Sequence, residues 1–530
     1  MSAAKATKQP AGRVVFVGSG PGDPGLLTVR AAEVIAAADV VVHDTAVAEA
    51  VLAGLPESAR VVQVTPKKAD DALKAAVEAA KGGSTVVRLV VGDPVADGAL
   101  AVEGPVVARG KVTLEVVPGV ARATGIAAHA GVPLLGAKSQ QVHIIDATSS
   151  VDWTAHAGRA TTLVVLGTKG ALTGLADGLL AAGRDPRTPI AVTVSGSTTE
   201  QRTAVGTLDH VAELAKPVAA MGDTTDAVVF VGEGVTLRER LSWFETKPLF
   251  GWQVLVPRTR DRSDTLGDQL VADGAVPVVV PTISVEPPRT PQQMERAVHG
   301  LVSGRYQWVV FTSANAVRAV REKFDEYGLD ARSLAGLKVA AIGPDTAAAL
   351  VDFGVRPDLV PAGEQSSAGL LADWPPFDDV LDPINRVFLP RADIATEALV
   401  EGLTKLGWEV DDVVAYRTVR AAPPPAHIRE QIKAGGFDAV VFTSSSTVRN
   451  LIGIAGKPHT STIVACIGPS TAETAVEHGL RVDVQAPEAT IDALTAALSN
   501  FGAQLRDEAM AAGELGWRPS DKRAAARRKK

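Results

Sequence analysis

A single cysteine in 530 residues, Cys466, excludes an internal disulfide framework and a thiolate metal cluster. Its setting in TIVACIG reads as a small buried strand residue rather than a reactive thiol. Aromatic residues reach only 4%, and the net charge of -7 gives no general attraction to nucleic acid, so an acidic ligand would need local Arg, Lys or amide donors. The basic C-terminus, DKRAAARRKK, has no interleaved aromatic residue and reads as a solvated tail. No run of about 18 uncharged apolar residues suggests a membrane span. The opening MSAAKATKQPAGR lacks the apolar core of a secretory signal. A cytoplasmic protein with no membrane or nucleic-acid partner is expected. His43 and His129 are widely separated and lack a set of further ligands at metal spacing, so no metal site is expected.

What is present is an alternation of short β-branched runs with Ala-rich helical stretches, in a chain that is 46% hydrophobic and 21% charged. That is the profile of α/β domains with parallel sheets flanked by helices, and the length calls for about two to four of them. The pattern changes near LSWFETKPLFGW, after which a fresh strand begins at Gln253.

Beyond that boundary the chain repeats itself. VVFTSANAV at Val309 to Val317 returns as VVFTSSSTV at Val440 to Val448. VAAIGPDTAAALVDFG returns as VACIGPSTAETAVEHG, and VLVPRTR at Val254 as VFLPRAD at Val387. Two copies are too few for a solenoid, so this is an internal duplication. In each copy a strand runs into Thr-Ser or Gly-Pro-x-Thr and then directly into a helix. Ser and Thr are good N-caps there, and such turns gather along one sheet edge where free amides favour anions. Two edges facing each other would line a cleft with hydroxyls and amides. The extended stretches PTISVEPP (Pro281 to Pro288) and AYRTVRAAPPP (Ala415 to Pro425) read as strands crossing between two lobes.

Taken together, VPRTR, WVVFTSANAV, AAIGPDTAAAL, LPRAD, VVAYRT, VVFTSSSTV and IGPSTAETA resemble uroporphyrinogen-III synthase over about residues 251 to 503. The resemblance implies a bilobal fold with a discontinuous first lobe. It also implies cofactor-free closure of hydroxymethylbilane with inversion of ring D, giving uroporphyrinogen III. Residues implied to bind the substrate carboxylates are Thr312, Ser313, Asn315, Thr443, Ser444, Ser445 and Thr471, with Arg258 and Arg391 as ionic partners. The family's cleft tyrosine falls on Tyr416, where a phenol could donate to the departing hydroxyl.

In the first half, Gly20, Gly22 and Gly25 satisfy G-x-G-x-x-G. Pro21 and Pro24, which lack the amide hydrogens a pyrophosphate needs, argue against a dinucleotide site. VGSGPGDPGLLT, ADVVVHD, VVRLVVGDP, VVPGVARATGIAAHAGVPL, TLVVLGTKG, VSGSTTEQRTAVGTL and LRERLSWF instead resemble the tetrapyrrole methyltransferase family, most closely uroporphyrinogen-III C-methyltransferase. The resemblance implies a two-domain α/β fold binding S-adenosylmethionine, with Pro21, Gly92, Asp93 and Gly196 on the cofactor, Asp44 as proton acceptor and Lys67 as proton donor. It also implies a homodimer through this half. The chain departs from the family pattern at Thr45, at Val91, through DGALAVE, at Ala121-Arg122, in LGA after GVPL, and at Gly167-Thr168. Several arginines and flexible glycines are lost there.

The expected division is a disordered 1–12, a methyltransferase-like domain 13–244, a linker 245–250, a synthase-like domain 251–503 and a polar, basic tail 504–530. Within the synthase-like domain, lobe one comprises 251–286 and 416–503 and lobe two 287–415. Three functions remain open: a fused synthase and methyltransferase, a synthase carrying a non-catalytic methyltransferase-like domain, and a non-catalytic bilobal binder of an anionic ligand.

Overall fold

Val14, Val15, Phe16 and Val17 have no exposed surface. An uninterrupted apolar run of this kind belongs to a strand covered on both faces. It is β1 (Arg13–Gly18), the inner strand of a sheet completed by β2 (Val40–Asp44), β3 (Arg60–Val64), β4 (Thr85–Val90) and β5 (Thr113–Val117). Every pairing is parallel, in the order β3-β2-β4-β1-β5. A second sheet follows, from β6 (Gln141–Asp146), β7 (Thr161–Leu166), β8 (Pro189–Val194), β9 (Arg202–Thr207) and β10 (Val228–Val231). Its order is β6-β7-β10-β8-β9, and it is mixed, because β10 runs antiparallel to β7 and β8.

The computed structural model describes residues 12–65, 69–167, 172–220, 227–258, 265–393, 397–512 and 517–521. They form two units. The first runs to Trp252 and includes Leu270–Val276 and the segment from Gly502; the second holds most of the remainder. No described helix is long and apolar enough to cross a membrane.

The second unit starts one sheet with β11 (Gln253–Arg258) and β12 (Val276–Pro281). The chain then builds another from β13 (Ile283–Glu286), β14 (Trp308–Phe311), β15 (Lys338–Ala341), β16 (Arg386–Ala392) and β17 (Glu409–Arg420). It returns with β18 (Ala439–Phe442), β19 (Ile463–Cys466) and β20 (Val484–Gln485). The orders are β12-β11-β18-β19-β20 in lobe one and β13-β17-β16-β14-β15 in lobe two. The discontinuous first lobe expected from the duplication is therefore present. Its boundaries move, however: β13 pairs antiparallel with the far end of β17, Ile283 opposite Arg420 and Glu286 opposite Arg417. Hydrogen bonding between the two crossing strands places both in the second-lobe sheet, so the exchange falls after Pro281 and after Arg420 rather than at 286/287 and 415/416.

Two other expected boundaries change. The stretch 245–250 is no open linker. Glu245 accepts hydrogen bonds from Gln201 at 2.7 Å, Thr203 at 2.6 Å and Arg238 at 2.8 Å, and Leu249 and Phe250 are buried. At the other end, helix Ile491–Ala511 continues past 503, and the Ser520 amide donates to buried Asp438 at 2.8 Å. Part of the expected tail is thus folded. Of the expected disordered start only Gly12 is described, and it is buried. Cys466 is fully buried, and burial pushes its thiol up to about 11, as its strand context implied.

Candidate functional site

Helix Ala314–Glu326 begins where β14 ends, because Ser313 leaves the strand in an extended conformation and accepts the Ala316 amide as N-cap. Its buried residues, Ala316, Val317, Val320 and Phe324, recur at helical spacing against the lobe-two core. That seating turns Asn315, Arg318 and Lys323 toward a cleft of about 1310 Å³. The hinge region supplies the other walls, with Pro281, Val285 and Pro423 among the residues from β12, β13 and the segment after β17. Arg258, at the end of β11, also lines it.

Tyr416 lies in the cleft wall on β17 and is 6% exposed. Its hydroxyl stands 2.9 Å from Ser313 Oγ, a contact across 103 residues of sequence. Nearby, Arg417 and Glu286 pair at 2.7 Å across the two crossing strands, which offsets one acidic charge beside the cleft.

Of the residues expected to meet substrate, the cleft brings together Arg258, Asn315 and Tyr416, with Ser313 attached through the phenol. Thr312, Thr443, Ser444, Ser445, Thr471 and Arg391 are not among the described residues that line it. Ser444 caps helix Ser445–Ala455 and bonds Ser446 at 2.9 Å, while Ser445 donates to the Ser470 carbonyl at 2.9 Å. Thr471 is buried. Arg391 is buried against Asp412 and also pairs with Glu397 at 2.9 Å; the hydrogen bonds it donates to these carboxylates, Asp412 first, hold its guanidinium above the ordinary value despite desolvation. Arg318 and Lys323 were not singled out in the sequence, although their helix follows directly from the duplicated turn.

In the first unit, the ends of β1, β4 and β5 converge so closely that only glycine fits. A Cβ on Gly18 would stand 2.5 Å from the Gly92 carbonyl oxygen, and one on Gly119 would stand 2.3 Å from it. Gly92 has φ +71°, in the left-handed region. Asp93 does not point a free carboxylate outward: it accepts the amides of Val95 at 2.9 Å, Ala96 at 2.7 Å and Gly119 at 2.9 Å, fixing the loop. Pro21 packs against helix Arg122–Ala130, where a Cβ on Gly125 would meet its ring at 2.8 Å. Gly196 lies between Ser195 (φ 51°) and Ser197 (φ 63°), two non-glycine residues held in the left-handed region. Such strain persists only where the surroundings enforce it. Close backbone approach at Gly18, Gly92 and Gly119, between loops fixed by Asp93, suits a ligand read largely through main-chain groups.

Asp44, at the end of β2, receives the Arg88 guanidinium at 2.5 Å. Arg88 is 2% exposed and also grips both carboxylate oxygens of Glu103, at 2.7 and 2.6 Å. Burial alone would lower the Arg88 guanidinium; Glu103 and Asp44 outweigh it and raise it. Arg88 has no role implied by the family resemblance, yet a lone charge inside VVRLVV signals a buried partner. Asp97 pairs with Arg122 at 3.1 Å and sits over Gly92, at two of the departures from the family pattern. Lys67 lies outside the described residues. His43 and His129 bond backbone carbonyls at 2.8 Å, and the described residues hold no cluster of metal-ligating side chains.

The sequence matches the family described as uroporphyrinogen-III synthase HemD over residues 264–496 and the tetrapyrrole (corrin/porphyrin) methylases over residues 13–212. It is 32% identical to the porphyrin biosynthesis protein HemD of Ruminiclostridium josui over 509 residues, 93% of this chain and 98% of that protein. It is 36% identical to the siroheme synthase of Ectopseudomonas mendocina over 246 residues, 44% of this chain and 53% of that protein, so it spans about half the length of that relative. A solved structure of uroporphyrin-III C-methyl transferase from Thermus thermophilus, complexed with S-adenosyl homocysteine, is 33% identical with a TM-score of 0.37, covering 42% of this chain and 99% of that one. With near end-to-end similarity to the Ruminiclostridium protein, the chain belongs to the family of porphyrin biosynthesis protein HemD, a methylase domain followed by a uroporphyrinogen-III synthase domain.

Proposed function

We propose that the second unit cyclises hydroxymethylbilane with inversion of ring D, and that the first methylates the resulting uroporphyrinogen III, using S-adenosylmethionine, to precorrin-2. The observation that carries the cyclisation is Tyr416 in the wall of the 1310 Å³ cleft, its hydroxyl anchored by Ser313. Tyr416 donates its proton to the terminal hydroxyl of the substrate. The C–O bond breaks with its electron pair on oxygen, water leaves, and the adjacent pyrrole nitrogen supplies the electrons that make an azafulvene cation. A substituted carbon of ring D attacks to give a spiro intermediate, which fragments and recloses; proton loss from the product restores the phenol. Holding a flexible chain in one geometry supplies much of the acceleration, because freedom is removed before the bond forms. Arg258 and Arg318 line the cleft and would meet substrate carboxylates; Lys323 also lines it, and would exchange its partner Glu326, at 2.7 Å, for one of them.

In the first unit, S-adenosylmethionine supplies an electrophilic methyl group. The backbone around Gly92 and Gly196 would hold it, Asp93 keeps the loop in place, and Asp44, fixed by Arg88, takes a proton. A second reading leaves this unit without turnover, and the Asp97–Arg122 pair packed over Gly92 favours it.

The test is to supply hydroxymethylbilane, generated in place, with and without labelled S-adenosylmethionine, and to resolve products by isomer and methyl content. Isomer III with label is expected. Isomer III without label selects the second reading, and isomer I alone, the uncatalysed product, overturns the synthase and leaves a non-catalytic binder.

A further inference from the structure

We infer that Ser313 is the positioning residue for Tyr416, donating a hydrogen bond to the phenol oxygen so that the phenol proton stays available to the cleft. This rests on the cyclisation proposed above. A serine oxygen has one proton to give and two lone pairs. One lone pair of Ser313 Oγ is occupied by the Ala316 amide at 3.2 Å. Its other side-chain contact among the described residues is with Tyr416 Oη at 2.9 Å, and either oxygen can serve as donor. If Tyr416 gave its proton to Ser313, the group facing the cleft would have none left for the leaving hydroxyl. With Ser313 as donor, the phenol proton remains free to transfer.

The same contact matters more as the reaction proceeds. When the substrate oxygen takes the proton and leaves as water, Tyr416 carries a negative charge. The Ser313 hydrogen bond becomes charge-assisted, which roughly doubles its strength. Ser313 also heads a helix of 13 residues, Ala314–Glu326, whose N-terminal end favours nearby negative charge. Ser313 thus acts through Tyr416 rather than by holding a substrate carboxylate. In lobe one the matching cap, Ser444, turns its other bond to Ser446, so the arrangement belongs to one copy of the duplicated turn.

The test uses the full chain with Ser313→Gly, Ser313→Thr, Tyr416→Phe and the double variant Ser313→Gly/Tyr416→Phe. Glycine is tolerated at helix N-caps, so the fold survives loss of the hydroxyl, checked by an unchanged melting temperature. Ser313→Gly should lower kcat by about 10- to 100-fold with KM held within about twofold. Ser313→Thr, which keeps a hydroxyl, should restore most of the rate. The double variant should be no slower than Tyr416→Phe alone, since Ser313 then has no phenol to act on. Multiplicative losses in the double variant, or a raised KM with kcat preserved, would overturn the inference and make Ser313 a direct substrate anchor. If the unaltered chain yields only isomer I, it is the cyclisation that fails, and the inference with it.

Discussion

The two lobes of the second unit carry the same motifs and spend them differently. VLVPRTR and VFLPRAD end in matched arginines, but Arg258 lines the cleft while Arg391 is buried against Asp412 and Glu397. In the paired FTS turns both serines cap helices, yet Ser313 reaches Tyr416 and Ser444 reaches its neighbour Ser446. Ahead of the turns, YQWVVF in lobe two corresponds to FDAVVF in lobe one, so Gln307 stands where Asp438 is buried under the Ser520 amide. Duplication supplied two of everything. For the arginines and the serines, one copy now faces the cleft and the other holds a lobe together.

The largest expected effect tests the arginines. Arg391→Met should cost about 2–3 kcal/mol of unfolding free energy, because it strands Asp412 beside a buried site; partial exposure of Glu397 keeps the figure below that of a fully buried pair. Arg258→Met, at the cleft rather than between two carboxylates, should cost less stability than Arg391→Met and should raise KM. Urea unfolding beside steady-state kinetics measures both, and equal stability losses would erase the distinction.

The serine contrast is the next largest. Ser444→Gly should cost a few tenths of a kcal/mol, as glycine replaces serine at a cap, and its kcat should exceed that of Ser313→Gly by about tenfold. Parallel kinetics of the two variants decide it; matching losses would mean that both turns serve the reaction alike.

The smallest effect is a pH dependence confined to lobe one. Desolvation raises the Asp438 carboxyl, against the lowering pull of the Ser520 and Gln253 amides. The folded state therefore holds this proton more tightly than the unfolded chain does. The associated stability is present below the usual carboxylate value of about 3.9 and is lost as pH rises toward the folded value. Asp438→Asn should thus gain on the unaltered protein as pH climbs from about 4 to about 7, read as the difference between two curves of unfolding free energy. A pH-independent difference would contradict it.

Much of this fold was legible because its signals are local. Apolar runs, caps and the repeated turns marked strands, helices and the duplication, and each depends on neighbours within a few residues. What stayed hidden depends on distant partners. LPRAD reads the same whether its arginine meets a ligand or Asp412, which is 21 residues further on and reached only by strand pairing. Tyr416 was recognisable from its motif, but its bond to Ser313 arises only once β14 and β17 share a sheet. The expected linker looked open because it lies between two patterned halves; Glu245 closes it through residues up to 44 positions earlier.

The antiparallel pairing of β13 with β17 gives the two lobes a ribbon for a joint rather than two separate strings. Two strands bonded along Ile283–Glu286 and Arg417–Arg420 cannot shift past one another without breaking those bonds. Any change in lobe angle would therefore be taken up where the paired strands leave the lobe-two sheet, at Thr282 and after Arg420. Tyr416 sits one residue before the ribbon, opposite Ala392 of β16 and tied to Ser313, so it belongs to the lobe-two wall, whereas Arg258 ends a lobe-one strand; a change in lobe angle would alter the distance between them.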